Sequence, residues 1–487
     1  MKEIILTTIN AKWIHPSLAL RFLKANLGSL EENCEIIELN LRQPLSEKVE
    51  TLLAAHPRIL GISVSIWNHT ATLELLAELE KAWIAHNVPR PLVVLGGPEI
   101  THLPPESAIF HYADHIIRGE GETAFKALCE NVMTGMAHNT HKFINAEPVS
   151  LDKIKSGYHL YTDEDLAKKL IYVEASRGCP FNCEFCLSSL DSEVREFPLD
   201  PFIAQMDALV KRGARTFKFL DRTFNVNIKR ALKIIEFFLE KIEVQKERLV
   251  VHFEMVPSIF PDELREALSR FPPESLRLEI GIQSLNREVC ARIGRLCDPE
   301  KELDTLRFMR EKTNAIIHAD LIAGLPGEDI ASFGRGFDRL WQALNSSALY
   351  NAMPYSTELC STVLAEGKKA PAPLYHRAEI QLGILKLLPG APISRHNEAF
   401  KMRYNPLPPY EIEETAAVGA ADLRRIRNFA RFWELIVNRG LVNFAPEEPV
   451  FDRFMALSDL LFAHFGRNWG IDRYELLETL KKEGYFI

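Results

Sequence analysis

Compact apolar runs alternate with amphipathic ones along the first 135 residues. "EIILTTI", "CEIIELN", "ILGISVSI", "PLVVLGG" and "DHIIRGEGE" read as strands. Between them "PSLALRFLKANL", "SEKVETLLAAH", "TATLELLAELEKAWIAH" and "TAFKALCENVM" carry helical spacing, with Ser46 expected to cap the second helix. A proline-rich turn and short helix follow "PLVVLGG". Five strand-helix units in succession predict a doubly wound parallel sheet, an α/β fold whose ligands bind beyond the carboxyl ends of the strands.

The alternation lapses over 136–170, which reads as a linker, and resumes at "KLIYVEASRG". "RTFKFLD", "LVVHFEMV", "LRLEIGIQS" and "AIIHADLIAGLPG" are further strands, separated by helical runs such as "DPFIAQMDALVKRG" and "KRALKIIEFFLEKI". Repeated strand-helix units over 171–345 predict a partial (β/α) barrel. Residues 346–399 read as an irregular segment, a candidate lid over 345–375, followed by a strand that completes the barrel. Residues 400–487 read as mostly helical. In "ADLRRIRNFARFWELIVNRG", Leu423, Ile426, Phe429 and Trp433 share one face, while Arg424, Arg425 and Arg431 lie elsewhere and form a solvated basic face.

Composition narrows the function classes. Hydrophobic residues make up 47% and charged residues 25% of the 487 positions, the balance of a globular protein with large cores. A formal net charge of −8 argues against general nucleic-acid binding. No segment approaches the roughly 18–20 apolar residues that a membrane span requires, and the first apolar run is broken by Asn10 and Lys12 without a cleavage site. A cytoplasmic protein with no membrane partner is expected. Of eight cysteines, Cys34, Cys129, Cys290, Cys297 and Cys360 are scattered and expected to pack as small apolar residues.

The other three stand in "EASRGCPFNCEFCLSSL", where Cys179, Cys183 and Cys186 form C-x-x-x-C-x-x-C directly after the first barrel strand. Such a loop lies at the carboxyl-end mouth, where barrels gather their chemistry. Three thiolates in one turn suit three irons of a cubane cluster, whereas structural zinc would seek a fourth Cys or His. The nearest histidines are His159 upstream and His252 downstream, so a zinc knuckle would have to be completed from afar.

The cysteine register after a first barrel strand resembles the signature of the radical S-adenosylmethionine (SAM) superfamily. The resemblance implies a 4Fe-4S cluster on Cys179, Cys183 and Cys186, whose free iron binds SAM and whose electron breaks a sulfonium bond to give an adenosyl radical. It places Phe185 beside the adenine. "FKFLDRTFN" (Asp221, Arg222, Thr223, Asn225) is similar to the acidic strand-end motif of the cobalamin-containing subgroup, with Asp221 the first candidate for the SAM amino group. Glu254, Glu279, Gln283 and Ser284 are candidates for its carboxylate or ribose. "DLIAGLPGE" is similar to the strand lying along the adenine through Gly324 and Pro326.

A flavodoxin-like (Rossmann-type) domain bearing "LGGPE" and "RGEGE" ahead of such a barrel resembles that subgroup's cobalamin-binding domain. By that likeness Ser63, Ser65, Trp67, Asn68, Gly96, Gly97, Gly119 and Glu120 contact the corrin or its nucleotide tail. D-x-H-x-x-G is absent, so no histidine ligand to cobalt is expected from that motif; His15 and His69 are weaker candidates. The last block resembles an uncharacterised C-terminal domain found on some of these enzymes, and Tyr404 and Tyr410 are candidates to line the site entrance. The implied activity is methylation of an unactivated carbon, with rearrangement or oxidation on the same cofactors as the alternative and a non-catalytic cobalamin-binding or sensing protein as a third. An unknown small-molecule or peptide substrate and an electron donor such as flavodoxin or ferredoxin are the expected partners.

Overall fold

The computed structural model describes residues 2–136, 141–345, 378–442, 444 and 448–485. The expected lid lies almost wholly outside the described residues, as does Cys360.

The first sheet consists of β1 (Ile4–Asn10), β2 (Cys34–Asn40), β3 (Ile59–Ser63), β4 (Leu92–Gly96), β5 (His115–Arg118) and β6 (Phe143–Asn145). All are parallel, in the order β2-β1-β3-β4-β5-β6. Helices α1 (Leu18–Ala25), α2 (Leu45–Ala55), α3 (His69–Ala85), α4 (Pro98–His102) and α5 (Gly121–Met133) connect them. Two separate apolar clusters cover the faces, one built around Leu60, Val93 and Leu76, the other around Leu6, Ile59 and Phe125. This is why a central strand such as β1 is buried at every position but its last, Thr7 and Thr8 included.

Two expectations need correction. Residues 136–170 are not merely a linker: β6 joins the first sheet, and α6 (Asp163–Lys168) starts at a capping box between Thr162 and Asp165. A three-residue edge strand in polar surroundings has no apolar run to reveal it. Ser46 is not a cap, because α2 begins at Leu45 with Pro44 in the cap position.

The second sheet runs β14 (Ala378–Ile384), β13 (Ile316–Ala323), β12 (Leu276–Gln283), β11 (Val250–Met255), β10 (Thr216–Phe219), β7 (Ile171–Val173), all parallel. Six strands with unpaired edges at β7 and β14 make a partial barrel. Its outer face, including Phe217, Val251, Leu278 and Ile317, is buried in the main core. Helices α7 (Leu199–Lys211), α8 (Ile228–Glu243), α9 (Asp262–Ser269), α10 (Arg287–Arg292), α11 (Pro299–Lys312) and α12 (Ile330–Leu344) belong to this unit. The alternate positions are polar: Lys218, His252, Glu254, Arg277, Glu279, His318, Asp320 and Glu379. Buried parallel strands are ordinarily apolar on both faces, so one side of this sheet is reserved for polar contents.

Beyond β14 comes a short hairpin, β15 (Arg403–Tyr404) with β16 (Ile412–Glu414), then α13 (Ala420–Ile436), α14 (Phe451–Phe465) and α15 (Arg473–Lys482). The apolar face read from sequence docks as expected: Leu423, Ile426, Phe429 and Trp433 are at most 1% exposed. Phe429 meets Phe337 of α12 edge to face, with ring centroids 5.2 Å apart. Arg425 pairs with Asp459 and Asp422 within the same block. Barrel and C-terminal block thus share one core, which Leu18 and Phe22 of the first domain also enter. Among the described residues no helix is long and apolar enough to cross a membrane.

Candidate functional site

The cysteine loop grows from a two-residue staple. β8 (Ser176–Arg177) pairs antiparallel with β9 (Arg195–Glu196) and closes the base of residues 178–194. Gly178, at φ +92°, turns the chain where a Cβ would fall 2.0 Å from Glu193 O. Cys179 N then donates to Asp191 O (3.1 Å) and Cys186 N to Cys183 O (3.0 Å). All three cysteines are free and half-buried. Burial pushes the Cys183 thiol up, and the Arg295 guanidinium opposes that shift. Cys179 Sγ lies 3.5 Å from Thr223 Oγ1. Among the described residues no three His, Cys, Asp or Glu side chains meet at a site for one metal ion. A cubane cluster binds each thiolate on a different iron, which three cysteines in one short loop can supply. The donor set fits a cluster.

Around the loop the sequence candidates divide by role. Asp221 is 2% exposed and braces the strand leading into the loop: its carboxylate accepts from Ala175 N (2.9 Å) and Ser176 Oγ (2.6 Å). Burial raises its carboxyl to about 6. Ser284 is equally buried and donates to Glu328 Oε1 (2.6 Å), so it too is turned into the fold. Arg222 is exposed and stands 4.0 Å from Glu254 Oε2. Burial first, against the pull of Arg222, raises the Glu254 carboxyl to about 7. Gln283 ends β12 at φ +66°, a left-handed conformation unusual for a side-chain-bearing residue, and its buried Oε1 has no hydrogen-bond partner among the described residues. An orphaned acceptor at the mouth is what a ligand donor would satisfy. Phe185 packs partly buried against the main core. Gly324, at φ +88°, faces Ile412 of the C-terminal block.

Below these lies a polar network of which motif reading found only Glu279. Lys218 Nζ donates to Glu279 Oε2 (3.1 Å), and His252 Nε2 lies 3.3 Å from the same oxygen. His252 and, after it, Lys218 hold the Glu279 carboxyl down to about 2 against burial. His318 Nδ1 is 3.1 Å from Glu379 Oε2 and from Gln381 Nε2. Asp320, two residues along from His318, is raised to about 8 by burial and by Glu279 and Glu254. The signal was present in the sequence as a two-residue polar period in four successive strands.

In the first domain, Gly96 and Gly97 end β4, and Gly119 follows β5. Gly97 (φ +105°) crosses β3 so closely that a Cβ would sit 2.5 Å from Val64 O. Asn68 is fully buried and serves the loop itself, accepting from Ser65 N and donating to Thr8 Oγ1 and Ile9 O. Ser63 and Ser65 line the same turn. Trp67 (56% exposed) and Trp13 (48%) are exposed on the loops after β3 and β1, with the Lys169 ammonium over the Trp13 ring (5.1 Å). Large apolar surface at the ligand end of a doubly wound sheet fits a macrocycle resting there. Glu120, expected near the cofactor tail, is drawn into ion pairs instead: Arg195 Nη2 lies 2.5 Å and Arg177 Nη1 3.5 Å from it. Neither weak histidine candidate is idle. His15 Nδ1 lies 2.9 Å from the Tyr172 hydroxyl, and His69 Nδ1 pairs with Glu99 (2.8 Å), which also accepts from Tyr410 (2.6 Å). Tyr404 contacts Met402 Sδ (3.7 Å).

Comparison with known proteins agrees with this arrangement. Residues 4–129 match the B12 binding domain and residues 173–339 the radical SAM superfamily. An uncharacterised methyltransferase of Pyrococcus horikoshii is 27% identical over 342 residues, 64% of this chain and 70% of that protein. The cobalamin-dependent radical SAM methyltransferase TokK of Streptomyces tokunonensis is 24% identical over 63% of this chain, which spans 48% of TokK. Among solved structures, the cobalamin-dependent SAM radical enzyme OxsB with aqua-cobalamin bound covers 99% of this chain and 75% of its own, with TM-score 0.65 and 16% identity. The methyltransferase TsrM of Kitasatospora setae, with cobalamin and a [4Fe-4S] cluster bound, covers 81% and 74%, with TM-score 0.55 and 17% identity. These two likenesses show the fold. The chain thus carries a B12-binding domain followed by a radical SAM domain whose barrel bears the three-cysteine loop, the domain arrangement of a cobalamin-binding radical SAM protein.

Proposed function

We propose that the protein is a cobalamin-dependent radical SAM methyltransferase that acts on an unactivated carbon of a polar small molecule or peptide. The observation that carries the reading is the three-thiol loop at the mouth of a polar-lined barrel, fused to a corrinoid-type domain. When bound, the cluster, SAM and cobalamin supply electron transfer, the radical source and the methyl carrier. The chain's own residues do the rest. Cys179, Cys183 and Cys186 would hold the cluster through their thiolates. Asp221, through Ala175 and Ser176, fixes the strand entering the loop. Gln283 Oε1 offers an acceptor at the mouth. The Glu254 carboxyl, at about 7, holds its proton in about half the molecules near neutrality and can donate or accept there. Glu279, Lys218 and His252 form a fixed ionic floor. Trp13 and Trp67 give the corrinoid an apolar seat that excludes water. A flavodoxin or ferredoxin of the cytoplasm is the proposed electron donor.

Anaerobic reconstitution tests the reading. Replacing Cys179, Cys183 and Cys186 together by alanine should abolish the visible absorbance of the cluster and leave corrinoid uptake intact. Deoxyadenosine formation from SAM by the reduced wild type supports radical chemistry, and labelled methyl in a product selects the methyltransferase over rearrangement or oxidation. Zinc in place of iron and sulfide in the wild type would sink the proposal.

A further inference from the structure

Glu184 stands between the second and third cysteines of the loop, yet it is turned into the protein, with its side chain 7% exposed. A buried carboxylate is costly unless both oxygens are engaged. Here both are, and by residues far along the chain: Arg395 Nη2 donates to Oε1, and His396 Nε2 lies 2.9 Å from Oε2. The backbone repeats the contact. Ile393 N donates to Glu184 O (2.9 Å), and Glu184 N donates to Ile293 O just beyond α10 (3.0 Å). Residues 182–184 are thus held between the end of α10 and the turn at 392–396. The fit is close, for a Cβ on Gly294 would fall 2.6 Å from Asn182 O.

The contacts continue to the glycine-proline loop after β13. His396 packs edge-on against Phe400 (5.8 Å), Phe400 carries the Arg292 guanidinium on its face (4.9 Å), and Arg292 donates to Pro326 O (2.6 Å). At its other side the same segment reaches the first domain. Tyr410 donates to Glu99 (2.6 Å), and Gly390, at φ +85°, lies so close to His102 that a Cβ would meet the ring at 2.8 Å. A backbone bond from Leu385 N to Ala323 O (2.9 Å) ties the segment to the barrel, and one from Ile412 N to Leu385 O (2.8 Å) closes the segment on itself.

We infer that residues 385–416 form a bracket that sets the cysteine loop relative to the cobalamin domain, with Glu184, Arg395 and His396 as positioning residues for the cluster and for the SAM bound to it. This rests on the function proposed above. Support around metal ligands is commonly worth 10- to 100-fold in affinity or activity. The expected result for R395Q with H396A, after anaerobic reconstitution, is about a tenfold faster loss of iron to a chelator. SAM should bind about tenfold more weakly, with an altered electron paramagnetic resonance response of the reduced cluster to SAM.

Corrinoid uptake should stay at the wild-type level. The thermal midpoint of unreconstituted R395Q with H396A should fall, because the buried Glu184 carboxylate is stranded. E184Q, which leaves no buried charge and an Arg395 side chain that is 64% exposed, should keep the wild-type midpoint and so separate positioning from stability. R395K, which keeps the charge, should recover most of the iron retention. E184Q should lose as much as R395Q, with no further loss when the two are combined, as expected of residues acting as a unit. Wild-type iron loss and SAM affinity in all these variants would overturn the bracket while leaving the proposed function standing. A wild type that takes up no cluster would overturn both.

Discussion

At the scale of single residues, Asp320 shows how the barrel interior is poised. The fold raises its carboxyl to about 8, through burial and the neighbouring Glu279 and Glu254, with Lys218 opposing. Between about pH 4 and pH 8 the folded chain therefore keeps a proton that the unfolded chain has released, and stability falls as pH rises across that window. D320N removes the titration. Thermal midpoints of the cofactor-free pair should coincide near pH 4 and diverge in favour of the variant towards pH 8; a gap independent of pH would refute the shift. The cysteines were legible from sequence because their spacing is local. Lys218, His252, Glu279 and His318 were legible in principle as polar positions at every second residue of strands expected to be apolar. Glu184 was not, because its partners are 211 and 212 residues away and no short-range pattern marks them.

Among elements, the turn after β4 and helix α13 illustrate two kinds of fit. Gly97 combines a positive φ with a Cβ position 2.5 Å from Val64 O, so G97A must displace the loop between β3 and α3. Corrinoid uptake should fall at least tenfold by absorbance titration while iron and sulfide content holds; unchanged uptake would remove Gly97 from the site. The α13 face was readable because its apolar spacing is regular, and its docking partner was not. Phe429 is fully buried against Phe337, Phe451 and Phe454. F429A should cost about 3–5 kcal/mol by denaturant unfolding, a penalty that an independently folding appendage would not pass on to the barrel. β6 escaped sequence reading for the opposite reason, since three residues at a sheet edge carry no period.

For the whole molecule, the decisive feature is how the two α/β units are locked. Arg177, one residue before the loop glycine, reaches Glu122 (2.7 Å) and Glu120 (3.5 Å) across the domain boundary and Glu174 (3.0 Å) in its own strand segment. Arg21 makes a second lock, bonding Glu38 (3.0 Å) in its own domain and Asp165 (2.8 Å) beyond it. Order and class of the units could be read from the alternation of strands and helices, but these locks could not, because salt bridges between domains follow no spacing rule. R177Q takes the cation from Glu122 and Glu174, while Glu120 keeps Arg195, and should cost about 3–5 kcal/mol, read as a lowered unfolding midpoint and faster proteolysis near residues 136–170. An unchanged midpoint would mean that the network is dispensable. The bracket adds a temporal consequence. During synthesis the cysteine triplet leaves the ribosome about two hundred residues ahead of Arg395 and His396, so a nascent chain offers thiols without their support. If the bracket acts as proposed, chains that stop before residue 395 would lose iron to a chelator about tenfold faster than the chain that includes it.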